Sequence, residues 1–235
     1  MKEKIVLVLM AAGILFLGSA FLKRAEQEQS ISAMGDGKNS PVVVIDAGHG
    51  GKDPGKVGIN EALEKEINLQ IALRLKNLLE QNDVVVVLTR EEDKDLASEQ
   101  ATNRKNEDLR ARANLISETN PVLMVSIHQN SYPEADVDGA QVFYYAGSES
   151  GKQLGTIVQN RLKSEIDDGN HRVAKANKEY YLLKKAVCPA VIVECGFLSN
   201  PAEADLLVTE EYQEKLAFSI HLGIMEYINT AVEIK

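Results

Sequence analysis

Two histidines and two glutamates of this chain have neighbours that could put them to chemical use. His49 sits in the Gly-rich run "DAGHGG", just after the apolar stretch Val42–Ala47. His128 directly follows "VLMVSI", Val122–Ile127, and Glu194 closes the apolar run "AVIVE". Glu64 lies three residues before Ile67, the first of the helically spaced set Ile67, Ile71, Leu75 and Leu78, so it projects on the inward side of that helix. Two imidazoles, one carboxylate and an open position are the donor set of a catalytic zinc ion, one per chain. Gly48, Gly50 and Gly51 let the backbone turn tightly around His49. Glu194, in an otherwise apolar strand, could take a proton from water and pass it to a leaving group. Glu61 competes with Glu64 as ligand but precedes the helical pattern, and Glu66 falls on a polar, solvated face. The spacing contains no compact signature such as HExxH. From spacing alone, satisfied core histidines therefore remain an alternative.

The elements that must position these groups alternate in type. Val42–Ala47, Val84–Leu88, Val122–Ile127, Ala140–Tyr145 and Ala190–Cys195 read as strands, and "YYLLKK" as a further short one. Amphipathic helices follow the Gly-rich loop and span Arg104–Thr119, Gly151–Ile166 and Glu210 to Tyr227. Another helix starts at Asn200-Pro201, with Asn as cap and Pro in the first position. Arg90–Asn103 reads as a long loop, with Glu91–Asp95 a solvated acidic run. The pattern predicts an α/β fold: a single domain with a twisted, mainly parallel (mixed) sheet and helices on both faces. Chemistry in such sheets gathers at the carboxyl ends of strands, where His49, His128 and Glu194 fall.

Composition narrows the class. The chain has 235 residues, 44% hydrophobic and 26% charged, with a net charge of −9 that argues against nucleic acid as partner. A nucleotide loop is also excluded: after Gly48 and Gly50 the third glycine position is Asp53, and no Walker lysine is present. Residues 1–24 read as an N-terminal anchor or cleaved signal peptide, because Lys2 and Lys4 precede an apolar run from Ile5 to Leu22. As a helix that run would be roughly 27 Å long, close to a bilayer's hydrocarbon thickness. The protein is therefore expected to be exported and to act outside the cytoplasm. Residues 25–40 read as a flexible tether, 41–230 as the catalytic domain and 231–235 as a tail. Cys188 and Cys195 flank a strand that holds them more than about 20 Å apart, too far for a disulfide, so both are expected as free thiols.

The segments "VVVIDAGHGGKDPG", "LEKEINLQIALRL", "DLRARANLI", "VSIHQNS", "GAQVFYY" and "PAVIVECGFLSNPAEADLL", in that order from about Val42 to Ile228, resemble the zinc N-acetylmuramoyl-L-alanine amidases of bacterial cell walls. The resemblance is strongest to the germination-specific members that act on spore cortex. It implies that His49, Glu64 and His128 are the zinc ligands and Glu194 the catalytic glutamate. The implied reaction is hydrolysis of the amide between the lactyl group of N-acetylmuramic acid and the first alanine of the stem peptide. It further implies a peptidoglycan substrate, cooperation with a muramic-acid deacetylase to form muramic-δ-lactam, an activating lipoprotein partner, and a place in the forespore or spore envelope.

Lys56 in the Gly-rich loop and Gln129 after His128 depart from the commonest family pattern, and the family's inhibitory helical insert has no obvious counterpart. Arg90 and Arg112 fall in family motifs, where a substrate contact competes with a structural ion pair. Asn130 is a candidate substrate contact or turn closer, His171 a candidate loop contact, and His221 a structural residue of the last helix. A non-catalytic wall-binding or partner-binding module on the same fold is the alternative from another class.

Overall fold

The computed structural model describes residues 40–166 and 169–233. The expected anchor 1–24, the tether up to residue 39 and the last residues 234–235 lie outside the described residues. Among the described residues no helix is long and apolar enough to cross a membrane.

Six strands form one sheet: β1 (Val42–Ala47), β2 (Val85–Leu88), β3 (Leu123–Asn130), β4 (Gln141–Tyr145), β5 (Lys175–Asn177) and β6 (Ala190–Phe197), in the order β2-β1-β3-β6-β4-β5. β2, β1, β3 and β6 run parallel, whereas β4 is antiparallel to β6 and carries β5 parallel to itself. The sheet is thus mixed and mostly parallel. Central strands buried on both faces are apolar over most of their length, which is why β1 and β6 lack clean alternation in sequence.

Pleating divides their side chains between two cores. Val43, Ile45, Leu123, Val125, Val191 and Val193 point to the larger one. It is closed by Ile67, Ile71, Leu75 and Leu79 of α1 (Glu64–Glu80), by Leu154, Val158 and Leu162 of α3 (Glu149–Glu165), and by Leu216, Ile220 and Ile224 of α6 (Glu210–Glu233). Val44, Met124 and Ile192 point the other way, onto Ile116 of α2 (Arg104–Thr119) and Leu182 and Leu183 of α4 (Tyr181–Lys185). Shaving a fully buried residue such as Leu75 to Ala costs about 2–5 kcal/mol in such packing. The helix α5 (Pro201–Leu207) is capped by Asn200, whose side chain accepts from Ala202 N and Glu203 N.

One element differs from the sequence reading. The segment "YYLLKK" is not a strand but contains α4, and the edge strand lies upstream at Lys175–Asn177. The reason is that Leu182 and Leu183 are both buried. A strand would send consecutive side chains to opposite faces, whereas one helical turn can bury both against the sheet.

Candidate metal centre

The parity that splits the cores also selects the site. Asp46, Ser126, His128 and Glu194 fall in phase with Val44, Met124 and Ile192, on the α2 and α4 face of the sheet. Asp46 is buried and accepts hydrogen bonds from Ser126 Oγ at 2.5 Å, Thr89 Oγ1 at 2.8 Å and Arg112 at 2.7 Å. Burial pushes its pKa up, but Arg112 and the Ser126 hydroxyl more than offset this and hold it at about 2. Arg112 also pairs with Asp108 at 2.8 Å and donates to the carbonyls of Ala47 and His49 at 2.8 and 2.7 Å.

Arg90 makes no ion pair among the described residues. It donates to the carbonyls of Ala47 at 2.9 Å, Gly48 at 3.0 Å and Lys65 at 2.7 Å. Burial and the neighbouring Arg112 lower its pKa to about 10, so it stays charged at neutral pH. Both arginines are 1% exposed, and together they clamp the carbonyls of the turn that holds His49 at φ 61°.

That turn delivers His49 to Glu64. His49 Nε2 lies 3.2 Å from Glu64 Oε2, and His128 Nδ1 lies 2.9 Å from Glu64 Oε1. The two imidazoles meet edge-on with centroids 5.0 Å apart. One donor atom from each of the three residues lies within 4.8 Å of the others. Tetrahedral zinc with bonds of roughly 2.0–2.1 Å separates its ligands by about 3.3 Å, so this donor set fits the ion in kind and spacing. Asp53 Oδ2 lies 2.9 Å from the other nitrogen of His49, the carboxylate–imidazole contact that orients a metal-binding histidine.

The ring of His128 packs over Gly48, where an added Cβ would fall 2.3 Å from Nε2, so Nδ1 is left to face the cluster. Burial lowers the His128 pKa, but the Glu64 carboxylate overrides it and raises it to about 8. Glu64, 2% exposed, is held far below the usual carboxylate range by the two histidines against its own burial. Protons and a cation thus compete for the same three donors.

Glu194 is the register partner of His128 across the parallel pair β3–β6, so both side chains leave the sheet on the same face. It is 7% exposed, and burial raises its pKa. Tyr180 OH donates to its Oε1 at 3.2 Å, while its buried Oε2 has no hydrogen-bond partner among the described residues. His49, Glu64, His128, Glu194 and Tyr180 line one cleft of about 540 Å³.

The other sequence candidates scatter. Asn130 lines the cleft, its Oδ1 accepting from Ser131 N at 2.8 Å. His171 is exposed and is not among the cleft-lining residues. His221 is buried on α6, where burial lowers its pKa. Glu61 and Glu66 are exposed and outside the donor cluster. Gln129 is buried and donates to Asn68, which in turn donates to the Gly48 carbonyl. Both cysteines are free thiols.

The acidic run is not simply solvated. Asp93 accepts from Gly51 N at 2.8 Å and from Lys65 at 2.6 Å, and Asp95 pairs with Arg104 at 2.9 Å, so the loop is fastened to the Gly-rich turn. Asp53 and Tyr180 were not singled out from sequence. The four-residue step from His49 was a signal for Asp53, but Tyr180 had none.

Fold and donor set place the chain among α/β enzymes that carry a metal-type cluster at the carboxyl edge of a mostly parallel sheet. Residues 43–226 match the N-acetylmuramoyl-L-alanine amidase family, and the chain belongs to that family of peptidoglycan amidases. The germination-specific N-acetylmuramoyl-L-alanine amidase of Bacillus subtilis (strain 168) is 39% identical over 189 residues, covering 79% of this chain and 79% of the relative. Among solved structures, the CwlD amidase from Clostridioides difficile in complex with the GerS lipoprotein superposes with a TM-score of 0.79 at 41% identity, over 81% of this chain and 100% of that chain. AmiC2 of Nostoc punctiforme, another amidase of this name, gives 0.71 at 35% identity over 81% and 99%.

Proposed function

We propose that this amidase uses one zinc ion, held by His49, Glu64 and His128, to hydrolyse the bond between the lactyl group of N-acetylmuramic acid and L-alanine of the stem peptide. The observation that carries this reading is the register pairing of His128 with Glu194. It sets a buried carboxyl one strand away from a cluster of three donors within 4.8 Å. When bound, zinc supplies Lewis acidity, polarising a carbonyl oxygen and lowering the pKa of water.

The chain's own groups do the rest. Glu194, with Oε1 held by Tyr180, takes the proton of the attacking water at Oε2 and delivers it to the departing alanine amine. Its burial favours the protonated form, so the proton is retained between the two events. Asp53 orients His49, Asn130 at the cleft contacts substrate, and Arg90 and Arg112 hold the His49 turn without touching substrate. His171 has no part in this reading.

Similarity to a germination-specific amidase supports spore cortex as the wall acted on, with a muramic-acid deacetylase completing the muramic-δ-lactam. The lipoprotein-bound Clostridioides difficile structure supports an activating lipoprotein partner here as well. A cell-wall substrate supports export through segment 1–24, as anchor or cleaved signal, with 25–40 as tether, 41–230 as catalytic domain and 231–235 as tail in the forespore or spore envelope.

The test is mass spectrometry of muropeptides with intact stems, incubated with the purified chain and zinc or chelator. Release of stem peptide with a free alanine amine, abolished by chelator, is expected. No release with zinc, with or without a lipoprotein partner, would leave a binding module on the same fold.

A further inference from the structure

We propose that the catalytic cleft continues into a lysine-walled subsite that binds a carboxylate on the peptide arm of the substrate. Lys56 and Lys105 both line the cleft. Asp53 and Lys105 also line a neighbouring recess of about 250 Å³, whose lining includes Lys52.

The acids of this recess are already engaged. Asp95 is paired with Arg104, Asp108 with Arg112 and the Leu96 amide, and Asp53 with His49 and the Gly55 amide. The ammonium groups of Lys52, Lys56 and Lys105, in contrast, form no hydrogen bond or ion pair among the described residues, and all three residues are exposed. In a chain of net charge −9, three lysines without a hydrogen-bonded partner gather at the cleft and the neighbouring recess, where Asp53 lies within reach of the Lys105 charge and Glu179 shares the cleft lining. The excess of unpaired ammonium groups is an anion-binding arrangement. Lysine suits this place because a point charge on a flexible stem can follow a carboxylate whose position shifts as the amide is cleaved. The peptide arm therefore runs from the cluster toward Lys105.

The identity of the ligand rests on the amidase reading, whereas the preference for an anion does not. The first arm of the test is calorimetric titration of the full chain with a stem tripeptide bearing free carboxylates and with its amidated counterpart. The free acid is expected to bind about tenfold more tightly, with a preference that shrinks at high salt. The preference should vanish in Lys56→Met/Lys105→Met and persist in Lys105→Arg. The second arm is hydrolysis of muropeptides carrying the same two stems. Lys105→Met should raise KM about tenfold on the free acid, well beyond any fall in kcat, and change the amidated substrate little.

Equal affinity of the wild type for both peptides, or equal losses on both substrates, would overturn the subsite. Lysine-dependent peptide binding without any hydrolysis by the wild type, with or without a lipoprotein partner, would keep the subsite and overturn the amidase reading.

Discussion

The phenol of Tyr180 and the carboxylate of Glu194 meet at 3.2 Å, joining the residue that leads into α4 to the carboxyl half of β6. Burial and the Glu194 charge raise the Tyr180 pKa well above its ordinary value, so the phenol keeps its proton and remains a donor at physiological pH. Tyr180→Phe is expected to lower kcat about tenfold with unchanged zinc content, because it frees Glu194 without touching the donor cluster. Glu194→Gln should lower hydrolysis by about 10²-fold or more while also keeping zinc. Single-turnover hydrolysis paired with metal analysis separates these outcomes; near-wild-type turnover in Glu194→Gln would move the proton carrier elsewhere.

His128→Ala removes one of three converging donors. Metal analysis after dialysis should show bound zinc falling well below one per chain. An unchanged stoichiometry would remove His128 from the ligand set.

Asp53→Asn retains the shape beside His49 Nδ1 but loses the negative charge. Zinc affinity should drop about 10–100-fold, read by competition with a chromophoric chelator. An unaltered affinity would mean that Asp53 shapes the loop and not the metal.

Gly55 adopts φ +69°, and a Cβ there would stand 2.5 Å from Glu64 Oε2 and 2.8 Å from His49 Cδ2. Gly55→Ala is therefore expected to weaken zinc binding as well as to lower Tm. A loss of Tm without any loss of zinc would show that the loop relaxes away from the cluster.

Glu64 was legible because helix phase is a strict rule: three residues before Ile67 is inward, and the side chain is 2% exposed. The strand ends were legible for the same kind of reason, since buried parallel strands write unbroken apolar runs. Tyr180 was not, because it acts from the start of a helix only five residues long, whose two buried leucines mimic a strand. Asp95 was hidden in the same way. Its partner Arg104 lies nine residues on, a separation that no helical or strand period favours. Arg112 was ambiguous because its charge is consistent with a ligand or a brace. Only the Asp46 carboxylate and three-dimensional access to the Ala47 and His49 carbonyls assign it to bracing.

The Asp46–Arg112 pair also makes a pH prediction. The Asp46 pKa is about 2 folded against 3.8 as the reference, a depressed value, so its contribution is present above pH 4 and lost as pH falls through 4 toward 2. The loss should be about 2 kcal/mol, read by urea unfolding across that window. Asp46→Asn should flatten that part of the profile, and an undiminished slope would assign the acid sensitivity to other carboxylates.

The pairing of His128 with Glu194 has a consequence for how this fold can vary. Insertion of one residue within β6 ahead of Glu194 would turn the carboxyl to the opposite face, into the larger core. Insertion of two would restore the face but displace it by about 7 Å along the strand. The loops around the cleft can lengthen, shorten or recruit other proteins, yet β3 and β6 have a single workable reading frame.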